Sequence, residues 1–325
     1  MRRWPTWLVV GALVALGAFA AADALRGSPR NESRSSTISV PLIPRNEPAA
    51  SAMSGVLYYT DAGCVLRAIE LPNLNEVKAP RWRQCHFSMA PHDALLGDPR
   101  AIWSPEGGIY AVDTGEGIEL ASPASAETIH VAGHAPAFKP DGTFTHVHGD
   151  KVVESSTQCA GSSLSPLTDN SATGCRRSFF KLDLVSPLLA APARVVQLVW
   201  LSKTLDVLVV RSDTAQPGVQ TVAVFDGVRL AGGTRPLTAR SVQIQPSPRG
   251  GYYSIWVDGG LFGIWDRDAH RVLLPPIIGI RALTWSPDER WTAAATAHSV
   301  YVFRTNEGEA RVRRLPIEAH DLAWR

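Results

Sequence analysis

The chain reads as an all-β protein built from copies of one strand–turn–strand unit. Three observations predict it. A proline-centred turn recurs between apolar runs, as Trp103-Ser104-Pro105-Glu106-Gly107, Phe138-Lys139-Pro140-Asp141-Gly142, Pro246-Ser247-Pro248-Arg249-Gly250 and Trp285-Ser286-Pro287-Asp288-Glu289. A degenerate copy, Trp200-Leu201-Ser202-Lys203, has lost the proline. The runs are filled by Val, Ile, Tyr, Phe, Trp and Thr and punctuated by Gly and Pro, and no stretch sustains an apolar stripe at helical spacing. The turns at 105, 140, about 203, 248 and 287 stand 35, 63, 45 and 39 residues apart. Apart from the long gap, this suits a four-stranded propeller blade, whose period is roughly 40 to 45 residues. A Ser/Thr/Cys-rich insert, Ser155 to Cys175, accounts for most of the excess.

The clearest unit is Arg281 to Thr305. Ala282 to Trp285 leads into the turn, Trp291 to Thr296 follows, and Ser299 to Phe303 comes after a polar break at Ala297-His298. Pro287 presets φ near −65° for a type I turn, and Ser286 is placed to bond back to the backbone. Read in register, WSPEG, FKPDG, PSPRG and WSPDE resemble the W-S-P-D-G turn of the TolB-like, WD-repeat-like β-propellers. The resemblance covers roughly residues 55–325. It implies that each turn joins the first two strands of a blade, with Pro105, Pro140, Pro248 and Pro287 as structural positions. It brings no catalytic residue.

Residues 1–25 are expected to be a cytoplasmic stub and a transmembrane signal anchor. Arg2 and Arg3 precede nineteen uncharged, mostly apolar residues, Trp4 to Ala22, close to the roughly 20 that span a bilayer. The arginines predict a cytoplasmic N-terminus and a propeller on the far side of the membrane. The alternative is a cleaved signal peptide, since Ala20-Ala21-Ala22 and Ala22-Asp23-Ala24 are small-residue sites. Residues 26–54 are a Ser/Pro/Asn/Arg/Ala linker with too little apolar surface to fold alone.

The propeller occupies 55–325. Val56 to Thr60 and Val65 to Leu71 read as the second and third strands of a blade that lacks its first. His320 to Arg325 resembles Arg281 to Trp285, so the C-terminal strand is expected to complete that blade and close the ring. Further blades begin near 100, 135, 195, 240 and 280, giving six. His86 to Asp93 mimics the turn motif shortly before Pro105; if it opens a blade, the count is seven. The nearest approach to a helix, Phe179 to Leu189, is cut by Pro187.

Composition narrows the functional classes. A net charge of +2 over 325 residues gives no electrostatic footprint for nucleic acid. Few Lys and three Met beside abundant Arg, Ala and Gly suit a bacterial source. The four cysteines form two neighbouring pairs, Cys64 with Cys85 and Cys159 with Cys175. An even count in an exported domain favours disulfides, and proximity favours these pairings. A four-cysteine zinc site is disfavoured because C-x2–4-C spacing is absent.

His130, His134, His146 and His148 are the metal-ligand candidates, and His146 and His148 alternate on one strand. The rival reading makes them polar positions on a blade edge. Glu106, Asp141 and Asp288 belong to the turns, whereas Asp226, Asp258, Asp266 and Asp268 sit near strand ends. Trp103, Trp200, Trp285 and Trp324 occupy equivalent first-strand positions and are expected between blades. The chain carries no G-x-S-x-G elbow, P-loop or G-x-G-x-x-G before a helix. The expectation is a membrane-tethered, extracytoplasmic binding scaffold for a partner protein, envelope component or small ligand, without catalysis or cofactor. The alternative is an enzyme or metal protein using His or Asp at the central channel.

Overall fold

The computed structural model describes residues 53–123, 128–149, 151–155, 178–181, 193–201, 206–213, 218–226, 229–230, 235–268, 270–307 and 312–325. The predicted membrane segment, nearly all of the linker, and Cys159 and Cys175 lie outside the described residues. No described helix is long and apolar enough to cross a membrane.

Among the described residues the strands pair antiparallel into seven sheets. The first contains β1 (Gly55–Thr60), β2 (Leu66–Leu71) and β3 (Asn75–Glu76). The second is a hairpin of β4 (Ser88–Met89) and β5 (Leu96–Gly97). The third holds β6 (Ile102–Trp103), β7 (Tyr110–Asp113), β8 (Ile118–Ala121) and β9 (Thr128–Val131). The fourth holds β10 (His134–Phe138), β11 (Phe144–His148), β12 (Lys151–Ser155) and β13 (Ser178–Lys181). The fifth runs through β14 (Ala193–Trp200), β15 (Asp206–Asp213), β16 (Val219–Asp226) and β17 (Arg229–Leu230), with β18 (Arg235–Thr238) also on β16. The sixth has three strands, β19 (Val242–Pro246), β20 (Tyr252–Val257) and β21 (Gly260–Asp266). The seventh holds β22 (Ala282–Trp285), β23 (Trp291–Ala295), β24 (Val300–Arg304) and β25 (Val312–Leu315). Finally, β26 (Leu322–Trp324) returns to the first sheet and lies beside β1.

This is a propeller-like, all-β arrangement. The first strands of the later sheets start at Ile102, His134, Ala193, Val242 and Ala282, within two residues of the expected positions. The hairpin of β4 and β5 joins through Ala90, whose N–H donates to Leu95 O at 2.9 Å, so the His86–Asp93 segment does carry a turn of its own. Ser178–Lys181 is a strand, not the start of a helix. Its partner β12 binds it in register from Lys151↔Lys181 to Glu154↔Ser178, and tertiary pairing overrides weak local preference there.

Burial explains the patterning. In β2 the residues Leu66, Ala68 and Leu71 are buried while Arg67 and Glu70 are exposed. In β23 all five residues are buried, and Ala293, Ala294 and Ala295 are 0% exposed. That strand has sheets against both faces, so alternation gives way to a continuous run of small residues that lets neighbours approach.

Apolar clusters join consecutive sheets. Tyr58, Leu66 and Ala68 pack with Phe87 and Met89 between the first and second. Ala111, Ile118 and Leu120 meet Phe138 and Phe144 between the third and fourth. Val147 and Val152 meet Leu198 and Trp200, and Val210 and Val222 meet Ile244 and Ile255. Trp256 and Ile264 meet Leu283 and Trp285. Leu57 and Trp324 pack with Trp291 and Val302 of the seventh sheet. Between the second and third, Trp103 Nε1 donates to Ser88 Oγ at 2.7 Å.

Candidate functional site

The recurring turns share one geometry. The fourth-position N–H of each turn donates to the carbonyl of the first: Gly107 to Ser104, Gly142 to Lys139, Gly250 to Ser247 and Glu289 to Ser286, at 2.9 to 3.0 Å. In the three serine copies the hydroxyl also accepts an N–H five residues on, from Ile109, Tyr252 and Trp291. The fourth position needs a left-handed backbone, with φ of 73°, 85° and 69° at Gly107, Gly142 and Gly250. Glu289 adopts the same conformation at φ 62°. For an L-residue this costs about 1–2 kcal/mol.

Glu289 is 9% exposed, and its carboxylate reaches the turn of the sixth sheet. Oε1 accepts from Ser247 Oγ at 2.5 Å, from Arg249 N at 2.5 Å and from Gly251 N at 3.3 Å. A carboxylate in such a nest makes charge-assisted bonds, roughly twice as strong as neutral ones. Burial first, and then the Glu289 charge, raises the pKa of the nearby Tyr252 phenol. The sequence signal for this contact is the one turn copy that places Glu where the others place Gly.

A second buried polar group joins the fourth and fifth sheets. Lys139 forms an ion pair with Glu154, and its Nζ lies 4.5 Å above the Trp200 ring centroid. Trp200 Nε1 donates to Thr145 Oγ1 at 2.7 Å, and Thr145 Oγ1 donates to Ala137 O at 3.1 Å. Lys139 occupies the first turn position held by Ser in three other copies. Trp200, Trp285 and Trp324 are buried, whereas Trp103 is partly exposed. Each is the last residue of an edge strand of its sheet.

The four histidine candidates spread along the third and fourth sheets. His130 on β9 is exposed, its Nδ1 3.8 Å from Glu119 Oε1. His134 opens β10 half-buried, and burial, then the Arg194 charge, holds its pKa below the usual histidine value. His146 on β11 is buried and stacked on Phe144 with ring centroids 5.3 Å apart. His148, two residues on, is exposed at the strand end, its Nδ1 3.2 Å from Ala132 O. Alternation gives the two a common face, yet His146 is buried and His148 is exposed. Among the described residues, one trio of His, Cys, Asp or Glu brings its ligand atoms within 4.8 Å of one another, and it is Cys64, Cys85 and His320. Cys64 and Cys85 are disulfide-bonded.

Of the acidic candidates, Asp258 sits in a turn at φ 48° and accepts from Arg240 N and Ser241 N. Asp266 accepts from His270 N at 2.8 Å. Both organise local backbone.

Among the described residues the exposed large apolar side chains are Leu95, Val196, Phe262, Leu273 and Ile278, and the last three lie on or just beyond β21 of the sixth sheet. Beyond β21, the chain makes a bridge between Trp265 and Arg271 and then runs on as Leu273-Leu274-Pro275-Pro276-Ile277-Ile278 without a paired strand. Val272, Leu274 and Ile277 turn inward onto Trp256 and Leu283, whereas Leu273 is 78% and Ile278 92% exposed. Phe262, on β21, is 43% exposed.

No protein-family model matches the chain. No curated protein matches it either. Solved structures similar to it include a protein from Lactobacillus plantarum, at 10% identity and TM-score 0.45, over 84% of this chain and 100% of that one. Another is the Cps50 (Swd1) β-propeller domain of Myceliophteria thermophila, at 10% identity and TM-score 0.42, over 83% and 86%. TolB from Acinetobacter baumannii is similar at 14% identity and TM-score 0.40, over 83% and 66%.

Proposed function

We propose that this chain is a membrane-tethered, extracytoplasmic propeller that acts as a binding scaffold and does no chemistry. In this reading the seven sheets form one ring, the second reduced to a hairpin and the first completed by β26. The apolar clusters shared by consecutive sheets, the last of them joining the seventh to the first, support the ring. The Cys64–Cys85 disulfide suits an oxidising compartment, and Trp4 to Ala22 has the length of a membrane anchor.

The observation that carries the binding role is the outer flank of the sixth sheet. Its fourth strand is replaced by a Pro-Pro segment that holds Leu273 and Ile278 out to solvent. Exposed apolar side chains grouped on one flank mark interaction surfaces. The partner is a protein or envelope component with an apolar face of its own.

Photo-crosslinking side chains placed at Leu273 and Ile278 in the full-length protein in cells test this, with Asn306 as an exposed control on another sheet. A discrete adduct at both positions and none at Asn306 is expected, and the adduct formed from Leu273 should be lost when Ile278→Asp is added, with the thermal midpoint unchanged. No adduct, or the same adduct at all three positions, overturns the reading. The tether is checked by deleting Trp4 to Ala22, which should release the protein from the membrane fraction.

A further inference from the structure

We infer that Cys64, Cys85 and His320 form a redox-gated metal site, closed as a disulfide when oxidised and able to hold one zinc ion when reduced. The three residues come from different parts of the chain. Cys64 ends the turn between β1 and β2, Cys85 follows β3, and His320 precedes β26. Their ligand atoms lie within 4.8 Å of one another, and all three residues are half-buried, so a reductant and an ion have access.

One buried residue organises the three segments. Thr60, 0% exposed, donates its hydroxyl to Cys85 O at 2.6 Å. Its carbonyl accepts His320 N at 2.9 Å, and its own N–H donates to Asp321 O at 3.3 Å. Cys64 is fixed separately by its N–H to Asp61 O at 2.8 Å. None of these bonds involves sulfur, so none of them is broken when the disulfide opens. Near neighbours of Cys64 and His320 in sequence, among them Gly63 and Glu318, line a shallow cleft of about 340 Å³.

The chemistry matches zinc. Two thiolates at about 2.3 Å and one imidazole nitrogen at about 2.0–2.1 Å make three corners of a tetrahedron, with water as the fourth. A dithiol reductant supplies two electrons and two protons to the Cys64–Cys85 bond and leaves as its own disulfide. The S–S bond breaks and two S–H bonds form. Zinc then displaces both thiol protons to solvent and takes the neutral His320 imidazole. The disulfide ties Cys64 to Cys85 alone, whereas zinc also ties the segment that leads into β26.

The full-length protein carrying Cys159→Ser and Cys175→Ser, reduced with dithiothreitol and desalted without oxygen, is titrated with zinc and with cobalt. The expected result is one metal per chain after reduction and none before it, with a thiolate-to-cobalt charge-transfer band. His320→Ala should weaken zinc binding by more than about tenfold, the loss that even an outer-shell partner brings, and should abolish the zinc-dependent rise in thermal midpoint. Without any variant at His320, zinc should shield His320, and not the exposed His298, from diethyl pyrocarbonate. Reduced protein that binds no metal, oxidised protein that binds equally well, or His320 left unshielded overturns the site.

Discussion

Ser247 donates its hydroxyl to Glu289 Oε1 at 2.5 Å, across 42 positions of sequence, so the turn of one sheet is clamped by the turn of the next. Two opposing effects meet at Glu289. Its left-handed backbone costs about 1–2 kcal/mol, and its three accepted bonds offset that cost. Glu289→Gln keeps the backbone and length but loses the charge, and should cost about 1.5–3 kcal/mol, the worth of a bond to a charged group. Glu289→Gly loses the carboxylate but relieves the backbone, so it should be roughly 1 kcal/mol more stable than Glu289→Ala. Urea unfolding of the three variants checks the order. Alanine equal to or better than glycine would show that φ at 289 carries no strain.

The docking of β26 sets a second expectation. Trp324 is 0% exposed, pairs opposite Leu57, and donates Nε1 to Ser54 O at 3.0 Å. Arg325 follows, its guanidinium reaching Ala90 O and Met89 O, with burial pushing its pKa down to about 10. Trp324→Ala should cost about 3–5 kcal/mol, the range for truncating a buried aromatic. Deleting His320 to Arg325 should lower the thermal midpoint further. A Cβ at Gly55 would meet Arg325 O at 2.5 Å and Trp324 Nε1 at 2.9 Å, so Gly55→Ala should disturb the same junction. A deletion variant that melts like wild type would mean that β26 contributes nothing to the first sheet.

The pH dependence near His134 has a definite sign. Burial and the charges of Arg194 and His148 lower its pKa, with Asp113 opposing them. The unfolded chain therefore takes up a proton near the ordinary histidine value, about 6.5, where the folded protein resists it. Stability is full above that pH and falls as pH drops toward the lowered value. His134→Gln should flatten this acid limb in thermal scans between neutral and mildly acidic pH. A limb of unchanged slope would assign it to other groups.

Legibility differed by the kind of contact. The turns at Pro105, Pro140, Pro248 and Pro287 were readable because a local dihedral preference and a hydroxyl-to-backbone bond are written in adjacent residues. The Cys64–Cys85 pairing was readable because the two flank a short stretch of chain. The arrival of His320 beside them was not, since it depends on a strand from the far end of the sequence. The Lys139–Glu154–Trp200 contact is equally silent: it forms between sheets, and alternation within a strand says only which face a residue takes. Glu289 lay in between. Its departure from Gly in three other turn copies was visible, but its partner in the neighbouring sheet was not.

The pairing of β1 with β26 also has a consequence in time. Trp324 bonds to Ser54 across 270 positions. At roughly 5–20 residues per second of synthesis, the open edge of β1 waits about a quarter of a minute to a minute for its partner strand. The sheets between can pair as each emerges, because their strands are neighbours in sequence. The first sheet alone is made early and finished late, with unpaired N–H and C=O groups on offer to any other strand in the interval. Until Leu322–Trp324 arrives, any other strand that reaches that edge competes with completion of the first sheet.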